Sequence, residues 1–245
     1  MTSFIYHPVR AILLDIEGTT TPADFVFKVL FPYARSQTEK FLERYGSLPD
    51  VLADLDGLRH EHLKDTRQGF SPPVLSDPHE PASFVAYVRW LIDRDRKCTP
   101  LKSLQGKIWA EGYASGDIHS QVFDDVPPAL KRWQGQNRTT AIFSSGSVLA
   151  QKLLFTHTSA GDLTGFLSAY FDTTIGKKTD PASYEKIAKT LQRSPAEIVF
   201  ISDIVSELDG AEAGGLQTLL CKRPGNHPQA QNAHQGIRTL DELFS

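Results

Sequence analysis

Ala11-Ile12-Leu13-Leu14-Asp15-Ile16-Glu17-Gly18-Thr19-Thr20-Thr21-Pro22 begins as an uninterrupted apolar run and ends in small polar residues, glycine and proline. Such a run reads as a buried strand that leaves its sheet at the C-terminal end, carrying Asp15 and Glu17 into the loop beyond. Units of the same kind recur later in the chain. Thr140 to Phe143 runs into Ser144-Ser145-Gly146-Ser147, and a helical stretch begins at Val148. Ile198 to Ile201 runs into Ser202-Asp203, followed by a helical stretch containing Leu208 and Ala211. Leu216 to Cys221 is a further strand, ending before Lys222-Arg223-Pro224-Gly225. Strands alternating with helices predict βαβ units, hence a parallel sheet with helices on both faces.

Asp15 and Ser144 are much farther apart than the roughly 30 residues of one βαβ unit, so about a hundred residues must form something of their own. Their pattern is helical. Phe25, Val26, Val29, Leu30 and Tyr33 follow helical spacing, with Pro32 expected to kink or restart the helix. Phe84, Val85, Val88, Leu91 and Ile92 make a second apolar stripe, and Thr99-Pro100 reads as an N-cap followed by a first-turn proline. The proline-rich stretch from Gly69 to Pro81 reads as a loop. The expected architecture is an α/β, Rossmann-like parallel-sheet core, residues 1–20 and 125–245, interrupted by a mainly helical cap domain at 21–124.

Composition bounds the function classes. The chain has 245 residues, 40% hydrophobic and 22% charged, near the globular average. A net charge of −3 offers no basic field for nucleic acid or anionic lipid. No run approaches the roughly 18 apolar residues needed to cross a bilayer. Met1 to Arg10 lacks the charged-then-apolar order of a signal peptide, and Cys98 with Cys221 cannot build a disulfide framework. A cytoplasmic protein with neither membrane nor nucleic-acid partner is expected.

Three polar clusters fall at the C-terminal ends of three parallel strands: Asp15 with Glu17, Ser144 with Ser145, and Asp203. That edge is where ligands bind in open α/β sheets. Carboxylates packed together repel one another, and a hard divalent cation such as Mg²⁺ relieves the repulsion while also neutralising a bound phosphate. Asp15 can attack phosphorus, and Glu17 can protonate a leaving oxygen and then activate water, provided a turn at Gly18 brings both acids to one pocket. Ser144 and Ser145 can donate to phosphate oxygens beside a helix N-terminus. Helix capping is the competing reading for Asp15, Glu17, Ser144, Ser145 and Asp203 alike. Gly176-Lys177-Lys178-Thr179 resembles half of a phosphate-binding loop without its upstream glycine, and Asp180-Pro181 reads as the start of the next helix. Glu207 shares a helix face with Asp203 and is a candidate support for it.

Taken together, Asp15-Ile16-Glu17-Gly18-Thr19-Thr20, Ser144, a lysine at 178 and Asp203 reproduce the four-motif order of the haloacid-dehalogenase superfamily. Asp15 to Pro22, then Phe25-Val26-Phe27 and Val29 to Ala34, are similar to the enolase-phosphatase (acireductone synthase) family. So are Ser144 to Lys152, Phe171-Asp172-Thr173 and Arg223-Pro224-Gly225-Asn226. The resemblance implies a Mg²⁺-dependent monomer that enolises 2,3-diketo-5-methylthiopentyl-1-phosphate and then releases phosphate, in methionine salvage. It also implies that Asp15 and Glu17 are catalytic and, with Asp203, bind the metal, Glu17 through its backbone carbonyl. Ser144, Ser145 and Lys178 would hold substrate. The alternatives are a related phosphatase for another small phosphorylated metabolite and a non-catalytic module that binds one.

Overall fold

The structure of the protein, a computed structural model, describes residues 8–228 and 233–244. In chain order the elements begin with β1 (Ala11–Leu14), α1 (Ala23–Phe25), a π-helical turn at Val26–Leu30, α2 (Phe31–Tyr45) and α3 (Pro49–Arg67). A 3₁₀ turn at Pro81–Phe84 leads into α4 (Val85–Ile92) and then α5 (Thr99–Ser115). There follow α6 (Val126–Gly135), β2 (Thr139–Phe143), α7 (Val148–Thr156), β3 (Ala169–Phe171) and α8 (Pro181–Thr190). The chain continues through β4 (Ile198–Ser202), α9 (Val205–Ala213), β5 (Gln217–Cys221) and β6 (Gly236–Ile237). It forms two units, one running to Val26 and resuming at His119, the other spanning Phe27–Ile118. Among the described residues no helix is long and apolar enough to cross a membrane.

The first unit is built on a parallel sheet in the order β3-β2-β1-β4-β5-β6. Every residue of β1 is buried, as a central parallel strand covered on both faces requires. Ala11 and Leu13 point to one face, where they join Phe143, Phe200 and Leu220 under Tyr184 and Ile187 of α8 and Leu208 and Ala211 of α9. Ile12 and Leu14 point the other way. On that side α6 lies against β2 and buries Ala129, Leu130 and Trp133. β1 begins and ends where its apolar run predicts, and β2, β4 and β5 lie within a residue or so of expectation. β3 and β6 were not anticipated. They are edge strands of three and two residues, too short to carry an apolar run, and only pairing to β2 and β5 defines them.

In the second unit, α2 packs on α4 and α5, and α3 packs on α5. Phe31 stacks on Trp109 with ring centroids 6.2 Å apart, and the Trp109 indole N–H donates to the Leu30 carbonyl at 2.8 Å. Pro32 sits in the first turn of α2, where its missing N–H is tolerated, and the helix runs on from the π-helical turn into α2 without a break. The preceding π-helical turn holds one more residue than an α-helical turn and re-phases the helix, and Val29 consequently leaves the apolar stripe and is exposed. The N-cap of α5 is Cys98, not Thr99; Thr99 is already helical and Pro100 comes next in the first turn. Asp65 is fully buried between Tyr87 and Arg96, which donate to its two oxygens at 2.8 and 2.6 Å.

Candidate active site

β1 hands its last pairing to Asp15, whose backbone N–H donates to the Ile201 carbonyl of β4 at 3.0 Å. The chain then knots. The Ile16 carbonyl accepts from the amides of Thr19, Thr20 and Thr21 at 2.9–3.1 Å, and Gly18 takes a left-handed φ of +71°. This tight loop is the turn needed to bring Asp15 and Glu17 together, which an extended strand would direct oppositely. Asp15 is buried. Its Oδ1 accepts from the Ile16 amide at 2.8 Å and from Lys178 Nζ at 2.6 Å, while the Ser202 hydroxyl lies 3.2 Å from Oδ2. Glu17 Oε2 accepts from the Ser144 hydroxyl at 3.4 Å. Burial, and then the neighbouring Asp15 charge, raise the Glu17 carboxyl above its ordinary value.

β4 lies beside β1, and the chain departs from the two strands in opposite directions along the sheet. This is the topological switch point of the order 3-2-1-4-5-6, where ligand crevices open. Asp203 follows β4 and packs on the Glu17 loop: a Cβ built on Gly18 would collide with Asp203 Oδ2 and stand 2.8 Å from Asn226 Oδ1. Only glycine leaves room for both. The Asn226 amide donates to the Gly18 carbonyl at 2.9 Å and steadies the loop. Asp203 does not cap the following helix, whose N-cap is Ile204. Its carboxyl is raised to about 7 by burial, then by the charges of Asp15 and Glu207. Glu207 is also raised to about 7, by burial and then Asp15. Glu207 Oε2 lies 2.5 Å from Lys178 Nζ and 2.9 Å from the Ser202 hydroxyl, so it shares both partners with Asp15.

Lys178 is buried, whereas Lys177 is exposed. Burial alone would lower the Lys178 ammonium, but the Asp15 and Glu207 carboxylates outweigh it and hold the group above its ordinary value. The phenyl rings of Phe143 and Phe200 flank it at 5.9 and 5.8 Å. Asp180 caps α8 with its side chain, as expected, accepting from the Ala182 amide at 3.0 Å. Ser144 is buried at the end of β2, and its hydroxyl accepts from the Gly146 amide at 3.1 Å. Ser145 comes next and is half-buried. Neither is the cap of α7; Ser147 takes that place, accepting from the Ala150 amide.

Four carboxylates (Asp15, Glu17, Asp203 and Glu207) thus lie within electrostatic reach of one ammonium among the described residues. The excess negative charge and the all-oxygen donor set fit a hard divalent cation. Among the described residues no group of three or more His, Cys, Asp or Glu side chains is arranged to hold a metal ion by itself. Ser202 and Asn226 were not singled out from sequence. Each reaches a residue distant in the chain, Ser202 to Asp15 and Asn226 to Gly18, and the sequence signal for them is a small polar residue before Asp203 and the asparagine of Arg223-Pro224-Gly225-Asn226.

Residues 9–215 match the haloacid dehalogenase-like hydrolase family. A protein of Synechococcus elongatus named Enolase-phosphatase E1 is 51% identical over 96% of this chain and 98% of its own length. A Drosophila melanogaster protein of the same name is 43% identical over 96% and 91%. Among solved structures, the UTR4 protein of Saccharomyces cerevisiae aligns with a TM-score of 0.75 at 32% identity, covering 94% of this chain and 98% of that one. CbbY of Rhodobacter sphaeroides, at 16% identity and a TM-score of 0.58, shares the fold. With half of its residues shared with such a relative along nearly its whole length, the chain belongs to the enolase-phosphatase E1 family of haloacid dehalogenase-like hydrolases.

Proposed function

We propose that this protein converts 2,3-diketo-5-methylthiopentyl-1-phosphate into the acireductone 1,2-dihydroxy-3-keto-5-methylthiopentene and inorganic phosphate, the enolase-phosphatase step of methionine salvage. Family membership supports the reading, and one observation carries its chemistry. Asp15 is held by Lys178 and Ser202 at the switch point, with the raised carboxyl of Glu17 in the same pocket. Enzymes of this family are metal-dependent. We take the metal as Mg²⁺, held by the Asp15 and Asp203 carboxylates and the Glu17 backbone carbonyl. When bound it supplies Lewis-acid polarisation of a substrate carbonyl and charge balance for the phosphoryl group.

The residues of the chain divide the work between them. Glu17, ionised, takes a proton from C1 of the substrate, and the electron pair moves onto the C2 oxygen to give the enolate. Asp15 then attacks phosphorus. The bond from Asp15 oxygen to phosphorus forms, the bond from phosphorus to the C1 oxygen breaks, and Glu17 returns its proton to that oxygen. Ionised again, Glu17 draws a proton from water, whose oxygen attacks the aspartyl phosphate, releases phosphate and restores Asp15; Glu17 then passes that proton to the C2 oxygen of the departing product and is ionised for the next turnover. A carboxyl raised above its ordinary range suits a group that must take and give a proton near neutral pH. Lys178 neutralises phosphate oxygens, and Ser144 and Ser145 donate hydrogen bonds to them. The same reading takes the enzyme as a cytoplasmic monomer acting on a free metabolite, with no nucleic acid or membrane as partner.

The test is to incubate purified protein with the diketo-phosphate and Mg²⁺ while following enediol absorbance and free phosphate together. Enol should appear before phosphate, both should vanish with EDTA, and Asp15→Asn should release no phosphate. Hydrolysis of simple phosphate esters without either signal from the diketo-phosphate would replace the substrate while keeping the phosphatase. Inactivity on all of them would favour a module that only binds a phosphorylated metabolite.

A further inference from the structure

Gln151 lies in the first turn of α7 and is 1% exposed. Its Nε2 donates to the carbonyls of Gly146 and Phe171, each at 2.8 Å. Gly146 follows β2 and Phe171 ends β3, so one carboxamide ties together the ends of two neighbouring strands. The same Phe171 carbonyl accepts from the Ser144 amide at 3.2 Å, and the Gly146 amide donates to the Ser144 hydroxyl at 3.1 Å. Ser144 is therefore gripped at its amide and its hydroxyl by the two residues whose carbonyls Gln151 holds. The other end of the carboxamide is unrewarded: Oε1 is buried with no hydrogen-bond partner among the described residues. An orphaned buried acceptor is destabilising, and methionine would fill nearly the same space without one. What methionine lacks is the pair of donors.

We propose that Gln151 is a positioning residue for phosphate binding, fixing the Ser144–Gly146 turn through its two carbonyl contacts. The inference rests on the reading of Ser144 as a phosphate ligand. It is tested on the full-length enzyme in saturating Mg²⁺ with Gln151→Met, Ser144→Ala and the double variant. Melting temperature, kcat, KM for the diketo-phosphate and the inhibition constant of inorganic phosphate are measured for each. Gln151→Met should raise KM and the phosphate inhibition constant about tenfold. Its kcat should stay within about threefold of wild type, with the melting temperature barely moved. Because Gln151 acts through Ser144, the double variant should bind phosphate no more than about twofold worse than Ser144→Ala alone. Multiplying effects, or a lowered melting temperature with KM and phosphate inhibition unchanged, would overturn the proposal. Wild-type phosphate inhibition in Ser144→Ala would instead overturn the role given to the serine. If Gln151→Met does not fold, Gln151→Asn, whose amide is too short to span both carbonyls, carries the same expectations. Failure of both to fold would make Gln151 a folding residue and end the proposal.

Discussion

Glu17 carries the heaviest load of any single residue. It stands where burial and then the Asp15 charge disfavour its ionised form, and it is asked to act as base, acid and base again. Glu17→Gln should therefore lose enol formation and phosphate release together, each by on the order of 10²–10⁴-fold. Single-turnover measurement of the enediol checks this, and a variant that still made the enol would remove Glu17 as the C1 base. The thiols give a second check at this scale. Cys221 is buried at the end of β5 and its thiol is pushed up to about 12, chiefly by burial; burial raises Cys98 as well. Since thiolate is the reactive form, Cys221 should resist a disulfide reagent at pH 8 in the native protein and titrate at once in denaturant. Asp15, Glu17, Ser144, Lys178 and Asp203 were visible in the sequence because each follows a strand or sits in a motif. The hydrogen-bonding roles of Ser202, Asn226 and Gln151 were not, because each also reaches a residue at the end of another strand or in the loop after it: Asp15, Gly18 and Phe171 respectively.

At the scale of elements, the apolar runs of β1, β2, β4 and β5 announced themselves, since central parallel strands must be apolar on both faces. β3 and β6 did not, because an edge strand of two or three residues is defined by its neighbour's hydrogen bonds. In the second unit the helical stripes were legible, but Val29 left its stripe because backbone geometry at the π-helical turn, invisible to periodicity, re-phases the helix. Polar anchoring there was equally hidden. Asp65, on α3, joins Tyr87 of α4 to Arg96 just beyond it. Asp65→Asn puts an amide against one of two donors, leaving Arg96 or Tyr87 without an acceptor. With Arg96 partly exposed, the loss should be about 3 kcal/mol, the low end for a broken buried pair. Urea denaturation followed by circular dichroism measures it.

For the whole molecule, the charge gathered at the switch point predicts its response to metal. A cation bound only by the folded protein stabilises it, by about 2.7 kcal/mol at a hundred times its dissociation constant. Mg²⁺ should accordingly raise the melting temperature of wild type and leave Asp203→Asn nearly unmoved, while chelation stops turnover. A wild type that melts identically with and without Mg²⁺ would argue against the ligand set. The sequence by itself determined the kind of chemistry available, because residue types and their order after each strand are local properties. It determined the alternation of strands and helices for the same reason. Only the tertiary structure decided that β4 would lie beside β1 and set Asp203 against the Asp15–Glu17 loop. It alone turned Lys178, not Lys177, onto Asp15, and it raised the carboxyls of Glu17, Asp203 and Glu207. Strand order, side-chain burial and the field of neighbouring charges arise from contacts between residues far apart in the chain, and no local pattern encodes them.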